Sequence, residues 1–230
     1  MSSPSTRARG RPARLDRPGT VETALRLLDE SGLDALTMRR LADALGVQAG
    51  ALYRHFATKQ ELLTAMAERM LAGVPAAAGD GPGEGAARDW SEQLADLARD
   101  LRTALLARRD GARVFAGTHS TGVNTLGFAE AVTGVLREAG FGDEGAARAL
   151  MTVAGFTVGH TLEEQAAVQP GNEDSADPER LRRAVASGSF PHLTASLPTL
   201  TSTDFTGHFE FGLRLLVQGL RAVEQEQEQP

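Results

Sequence analysis

The stretch MRRLADALGVQAGALYRHFA, residues 38–57, constrains the fold more than any other part of the chain. It holds two short segments with apolar residues at helical spacing, and Gly46 between them tolerates the positive φ of a sharp turn. Ala42 is small enough to let the two helices approach closely. This pattern is typical of a helix-turn-helix, in which the second helix lies in the major groove of DNA.

Helices on either side complete an N-terminal domain. The segment VETALRLLDESG carries its apolar residues on one face, and we expect this helix to end at Gly32. Thr37 and Thr58 are placed as N-caps of the second and fourth helices. The sequence therefore predicts an all-α protein, with a three-helix DNA-binding domain at residues 15–62 and a larger helical domain at residues 63–224.

Segments of low hydrophobicity flank and interrupt these domains. Residues 1–14 predict a basic, flexible arm, which either contacts DNA or remains a solvated tail. Residues 72–89 are rich in Gly, Ala and Pro and predict a flexible linker or loop. Residues 225–230 predict a frayed tail.

The larger domain begins with a predicted helix whose apolar stripe starts at Trp90, and helical periodicity continues after it. Residues 168–178 predict a polar loop, and residues 189–203 predict irregular structure because their prolines oppose a long helix. The further predicted helices lie at 122–139, 144–167, 178–187 and 204–224.

Charge is distributed unevenly along the chain. The formal net charge is −6, yet residues 1–60 hold ten Arg or Lys against six Asp or Glu. That segment therefore carries +4 and the remainder −10. Such asymmetry is expected when one domain contacts nucleic acid and another does not.

Composition also excludes several classes of protein. The chain has no cysteine, which excludes disulfides and thiolate metal sites. No apolar core of a secretory signal follows the basic N-terminus, and no run of about 18 apolar residues occurs. We therefore expect a cytoplasmic protein with no membrane partner.

The start of the second helix of the motif is the end that points toward base edges. Gln48, Ala49, Gly50 and Ala51 occupy this position, and three of them have no side chain that can form a hydrogen bond. We therefore predict few direct base contacts, made by Gln48 and by the methyl group of Ala51.

Residues further along are better placed for phosphates, which position a protein without specifying a sequence. This set comprises Tyr53, Arg54, His55 and Lys59, while Arg39 on the preceding helix reaches either phosphates or bases. Two alternatives stay open. For Tyr53 the alternative to a phosphate contact is packing against the fourth helix, and for His55 it is a bridge between helices.

The stretch LRLLDESGLDALTMRRLADALGVQAGALYRHFATKQELL resembles the Tet repressor (TetR/AcrR) family of bacterial transcriptional regulators. The segments RRDGARVFAGT, GFTVGHTLEEQ and FEFGLRLLVQGL resemble body segments of the tetracycline repressors. The resemblance implies a homodimer on a double-stranded, palindromic operator, with a C-terminal domain that binds a small-molecule inducer and dimerises. In it, helices near 144–166 and 204–222 pair with their mates.

Both of those segments are apolar enough for a helical interface. Their seams at helical spacing comprise Val153, Phe156, Leu162, Phe209, Leu213, Leu216 and Leu220.

The resemblance also implies the place of the ligand site. The family site chelates a metal–drug complex through a histidine, and the matching residue here is Phe115. Thr118 and Glu163 match positions near that metal. Leu97 and Leu101 stand where the family has a polar and an aromatic residue, and a second pocket histidine aligns with Pro75.

These replacements predict a small apolar or aromatic inducer, with no metal and no other cofactor. We also predict that His160 is a polar residue of the ligand pocket or of the interface between protomers.

Two other functions are alternatives to a ligand-responsive regulator. His160, Glu163 and Glu164 have the spacing of a metal site on one helix face, but no second His–carboxylate cluster accompanies them. No phosphate-binding loop or nucleophile elbow occurs either, so we do not expect an enzyme. The second alternative is a DNA-binding regulator whose body only dimerises, without an inducer.

Overall fold

The computed structural model describes residues 15–74, 88–168 and 177–227, with side chains up to residue 224. Within these ranges every regular element is an α-helix, which confirms the predicted fold class. Several predictions lie outside the described residues. They are the basic arm at 1–14, the centre of the linker at 75–87 with Pro75, the loop residues 169–176 and the last residues 228–230.

Four helices form the N-terminal part of the chain: α1 (Arg17–Ala35), α2 (Met38–Leu45), α3 (Ala49–Leu52) and α4 (Lys59–Met70). The side chains of Thr37 and Thr58 accept hydrogen bonds from Arg40 N and Glu61 N, each at 3.1 Å, so both predicted N-caps are confirmed. Their shared core contains the buried side chains of Leu25, Leu28, Leu41, Leu52, Phe56 and Leu62.

The first helix is interrupted at Gly32, where the sequence predicted its end, and helical residues continue beyond the break to Ala35. The φ of Gly32, 78°, lies in the left-handed region that favours glycine. A Cβ at this position would lie 3.0 Å from Asp110 Oδ2 and 3.2 Å from Arg109 Nε. Glycine is therefore required both by the backbone conformation and by the close approach of the rest of the protein.

The described residues from 88 onward form seven further helices, which we call the body. They are α5 (Trp90–Leu106), α6 (Gly111–Ala116), α7 (Val123–Glu138), α8 (Asp143–Val168), α9 (Pro178–Ala186), α10 (Pro191–Leu200) and α11 (Phe205–Gln227). α5 packs against α7 and α8, and α11 packs against α8. The apolar face of α5, with Leu94, Leu97, Leu101 and Leu105, is buried at the centre of the body.

The irregular structure predicted for residues 189–203 is wrong, because Pro191–Leu200 is helical. Pro191 occupies the first turn, where its missing N–H has no intrahelical partner to lose. Pro198 lies in the last turn and leaves only the carbonyl four residues earlier, on exposed Thr194, without a helical donor. The prolines therefore fall where a short helix tolerates them.

The seams predicted for the interface between protomers partly face inward instead. Val153 on α8 and Phe209 and Leu213 on α11 are each 1% exposed within the single chain. They are buried because the two helices pack against their own body before any partner is added. The exposed apolar side chains of these helices are Met151, Val168, Phe211, Leu215 and Val223.

The N-terminal helices are docked on the body through the turn between α5 and α6. Asp29 accepts hydrogen bonds from Arg108 Nη1 at 2.7 Å and from Arg109 N at 3.1 Å. Leu33 N donates to Asp110 Oδ2 at 2.7 Å. These bonds join segments more than 70 residues apart, so they fix α1 relative to the body.

Candidate DNA-binding surface and ligand-binding core

The turn between α2 and α3 has the geometry that a helix-turn-helix requires. Gly46 has φ 66°, and its N–H donates to Asp43 O at 3.1 Å. Val47 N then donates to Ala42 O at 3.0 Å, and Ala42 is 2% exposed. The small side chain of Ala42 and the left-handed Gly46 therefore serve the sharp turn as predicted.

The recognition helix α3 is shorter than its sequence pattern predicted. It spans Ala49–Leu52, and residues 53–55 form a turn. His55 N and Phe56 N both donate to Leu52 O, at 2.8 and 2.9 Å. This shared acceptor closes the helix one turn earlier and lets the fully buried Phe56 enter the core.

The residues predicted to contact DNA lie on α2, on α3, in the turn after α3 and at the start of α4. Gln48, Gly50, Tyr53, Arg54 and Arg39 are exposed, and Ala49, Ala51, His55 and Lys59 are half-buried. Tyr53 is 51% exposed, so about half of its surface is accessible. The structure therefore leaves the predicted contact residues available to a ligand the size of DNA.

Arg17 supports the turn after α3, a role the sequence analysis did not assign. Its guanidinium lies 4.4 Å from the centroid of the Phe56 ring and donates to His55 O and, at 3.0 Å, to Glu61 Oε1. Glu61 Oε2 also accepts from Ala57 N at 2.8 Å. The Ala57 bond and then Arg17 hold the pKa of Glu61 below its ordinary value.

This support had a sequence signal. Thr58 and Glu61 have the Thr-x-x-Glu spacing of a capping box, in which a glutamate in the first helical turn reaches back to the chain before the helix. Glu61 does so here through Ala57 N rather than through the N-cap residue itself.

The residues predicted to line a ligand site lie on α5, α6 and α8, which pack against one another, and, for Thr118, just after the end of α6. Leu97 and Leu101 are fully buried, Phe115 is half-buried, and Thr118 is 9% exposed with its hydroxyl donating to Phe115 O at 2.9 Å. Glu163, by contrast, is exposed on the surface of the single chain.

The inward-facing carboxylate of α8 is Glu164. Arg102 Nη2 lies 2.7 Å from Glu164 Oε2, and both side chains are about 14% exposed. The guanidinium also lies 5.1 Å from the centroid of the Phe209 ring. Of the three residues at His–Glu–Glu spacing on α8, Glu164 is therefore held in an ion pair. No group of three metal-ligating side chains occurs among the described residues.

His160 lies in an aromatic cluster beside this pair. Its ring centroid is 5.9 Å from that of Phe156 and 5.4 Å from that of Phe209. Its buried Nδ1 has no hydrogen-bond partner within the described part of the chain. Burial is the main cause that lowers the pKa of His160, Arg102 and His208 lower it further, and Glu164 opposes them.

Gln165, which was not among the predicted site residues, joins α8 to the start of α6. Its Oε1 accepts from Ala112 N at 3.0 Å, and its Nε2 donates to Leu105 O and Arg108 O at 3.2 and 2.8 Å. The signal was available, because Thr157, Thr161 and Gln165 follow one another at four-residue spacing on the buried face of α8.

Two cavities open on the surface of the body. One of about 370 Å³ lies between α5 and α11, beside Arg99 and Glu210. The other, of about 510 Å³, lies between α5, α7 and α11, beside Trp90 and Arg221. Neither is lined by any of the six described residues predicted to bind a ligand.

Comparison with known proteins places this architecture. The model of the bacterial regulatory proteins of the tetR family matches residues 21–66, and that of the tetracyclin repressor-like C-terminal domain matches residues 82–224. The chain belongs to the tetR family of bacterial regulatory proteins. A curated relative, the class A tetracycline repressor of Escherichia coli, is 43% identical over 89% of this chain and 90% of its own.

Solved structures agree with this membership. A possible TetR-family transcriptional regulator from Streptomyces coelicolor superposes with a TM-score of 0.83 at 70% identity, covering 90% of this chain and all of that one. BioQ with its double-stranded DNA operator superposes at 0.64 and 32% identity, over 91% and 99% of the two chains. No described helix of this tetR-family protein is long and apolar enough to cross a membrane.

Proposed function

We propose that this protein is a ligand-responsive transcriptional repressor. It binds a palindromic double-stranded operator as a homodimer in the cytoplasm, and a small apolar or aromatic molecule releases it. The observation that carries the proposal is the exposed tip of α3, presented by a glycine turn on a buried three-helix core. The DNA-bound BioQ structure supports the same use of this domain.

The DNA contacts divide into two kinds. Gln48, with Ala49, Gly50 and Ala51, faces base edges, and because three of these residues lack a polar side chain, base contacts are few. Phosphate contacts come from Tyr53, Arg54, His55, Lys59 and Arg39. The basic arm at residues 1–14 adds to the electrostatic attraction.

The homodimer forms through the outer faces of α8 and α11. Met151, Phe211 and Leu215 are 75%, 57% and 60% exposed in the single chain, although they lie on the two longest helices of the body. A two-fold axis between these faces presents two α3 helices about 34 Å apart, one turn of the DNA helix. This spacing accounts for a palindromic operator.

The inducer binds within the body, next to Leu97, Leu101, Phe115, Thr118 and His160, with Glu163 at the edge. The apolar character of α5 and the replacement of the chelating histidine by Phe115 favour an apolar or aromatic molecule over a metal–drug complex. A coupling free energy of about 1–3 kcal/mol between inducer and operator weakens operator binding by about 5- to 150-fold.

The experiment has two steps. Purified protein is titrated against the intergenic DNA beside its own gene in a mobility-shift assay, and a palindromic half-site pair is mapped by footprinting. The protein is then heated with a panel of hydrophobic natural products, because a ligand that binds the folded state raises the unfolding temperature. Stabilising compounds that also weaken the operator complex support the proposal. Failure to bind any of this DNA would contradict it.

A second function is favoured by one observation. Leu97 and Leu101 are fully buried among the described residues, and neither lines either of the two cavities described above. A regulator whose body only dimerises would have this packing. That function is supported if compounds stabilise the protein yet leave its operator affinity unchanged.

A further inference from the structure

Glu68, near the end of α4, accepts a cluster of hydrogen bonds from the start of α7. Its Oε1 accepts from Ser120 Oγ at 2.7 Å, from Thr125 N at 3.1 Å and from the Thr125 hydroxyl. Its Oε2 accepts from Asn124 N at 3.0 Å. The Glu68 backbone carbonyl accepts from Asn124 Nδ2 at 2.8 Å.

This carboxylate replaces the N-cap that α7 lacks. The N-cap residue of α7 is Gly122, which has no side chain to accept the free N–H groups of the first turn. Asn124 and Thr125 are the second and third residues of that turn, whose N–H groups an N-cap side chain normally accepts. A Cβ on Gly122 would overlap the Glu68 carboxyl group. The cap and the glycine are therefore matched to each other.

The same helix carries a weaker tie nearer the DNA-binding end. Gln60 Nε2 donates to Gly117 O at 2.6 Å, a single hydrogen bond from an exposed side chain. Glu68 makes charge-assisted bonds at a half-buried site, and such bonds are about twice as strong as neutral ones. The tie at Gln60 is therefore weaker than the cluster at Glu68.

We propose that Glu68 is the positioning residue that fixes the pivot of α4 on the body. This inference rests on the proposed function, with the coupling between inducer and operator carried by a turn of α4. Lys59, at the first turn of α4, lies nine residues from Glu68, about 13 Å along the helix axis. A rotation of about 10° about Glu68 therefore displaces Lys59 by about 2 Å, while α7 stays in place.

An ordinary structural cap would have a different signature, because its only task is to stabilise α7. The double variant Glu68→Ala with Gly122→Asp separates the two roles. Asp is a favoured N-cap, and the space for its side chain is vacated by the loss of Glu68. The double variant keeps a cap on α7 and loses the hydrogen bonds that the Glu68 side chain accepts from α7 and from Ser120.

The experiment measures the distance between the two α2 helices of the dimer. Since the chain has no cysteine, Ala44→Cys on the exposed end of α2 gives one spin-labelling site per protomer. Electron–electron double resonance is recorded for the labelled protein, for the double variant and for a control, Glu22→Gln. The control removes the ion pair of Glu22 with Arg69, which ties α4 to α1 and not to the body.

We expect a narrow distance distribution in the parent and in Glu22→Gln, and a broad one in the double variant at an unchanged unfolding temperature. Operator affinity of the double variant should fall at least about fivefold, since two α3 helices that are not held at a fixed separation no longer match successive major grooves of DNA. A narrow distribution with parental affinity in the double variant would overturn the role of Glu68. If the double variant does not fold, Glu68→Gln, of the same size, replaces it with the same expectation.

A failure of the proposed function looks different. A parent protein that binds no DNA, or that shows no distance between protomers, contradicts the homodimeric repressor. A parent that dimerises and binds while the Glu68 variants remain narrow contradicts only the pivot.

Discussion

Arg102 and Glu164 form a bidentate ion pair between α5 and α8, in which Arg102 Nε donates to Glu164 Oε2 at 3.1 Å and Nη2 donates to Glu164 Oε1 at 2.9 Å. Their side chains are 13% and 15% exposed, so loss of one partner leaves a charge that water reaches poorly. We predict that Arg102→Met destabilises the protein by about 3 kcal/mol. The double variant with Glu164→Leu should recover most of that loss, because no lone charge remains. Urea unfolding measures both, and equal stability of the single and double variants would contradict the prediction.

Gly32 and Gly134 give a matched pair of glycine substitutions. Gly32 has φ 78° and would place a Cβ 3.0 Å from Asp110 Oδ2, so Gly32→Ala should destabilise the protein by about 1–3 kcal/mol. Gly134 lies within α7 with open space around it, so Gly134→Ala should stabilise by about 0.5–1 kcal/mol. Thermal unfolding of both variants tests the pair. A loss at Gly134 as large as that at Gly32 would be inconsistent with this account.

The sequence predicted the features that depend on local pattern. The turn at Gly46 and the caps Thr37 and Thr58 follow from backbone conformation and neighbouring residues alone, and the structure has all three. At Gly32 the predicted helix end is a break within α1, which continues to Ala35. The helix at Pro191–Leu200 was missed because proline is judged by its place in the helical turn, which a sequence pattern does not fix.

Features that depend on which helices pack together were not predictable from pattern. Glu163 and Glu164 are adjacent and chemically alike, and only the packing of α8 on α5 decides that Glu164 meets Arg102. Val153 and Phe209 have the spacing of an interface seam, yet α8 and α11 use them within the chain. The cap that Glu68 of α4 provides for α7 joins residues more than 50 positions apart, beyond the range of any local motif.

His160 provides a test by pH. Because burial lowers its pKa from the ordinary 6.5, the unfolded chain binds a proton at this residue before the folded protein does. The resulting contribution to stability is present above pH 6.5 and is lost as pH falls below it. We predict that His160→Gln has a smaller decrease in unfolding temperature between pH 7.5 and about 5.5 than the parent. His192→Gln, at an exposed position, is the control, and an identical pH profile for all three proteins would count against burial of His160.

Gln48 provides a test of direct base readout. It is exposed at the N-cap of α3 and makes no capping hydrogen bond through its side chain. We predict that Gln48→Ala changes the preferred base at one symmetric position of the operator, by about 1–3 kcal/mol in discrimination, and leaves the other positions unchanged. Selection from a library of randomised operators measures this. A uniform loss of affinity at all positions would assign Gln48 to the backbone instead.

Lys59 provides the complementary test of phosphate contact. It begins α4 next to the recognition helix, and a lysine that neutralises one phosphate releases about one counterion on binding. We predict that Lys59→Ala weakens binding to specific and nonspecific DNA alike and lowers the slope of log affinity against log salt by about one per protomer. Arg26→Ala is the control, because Arg26 lies on α1 and pairs with Glu30. Fluorescence anisotropy at several salt concentrations measures the slopes, and an unchanged slope for Lys59→Ala would require a different docking of α3 on DNA.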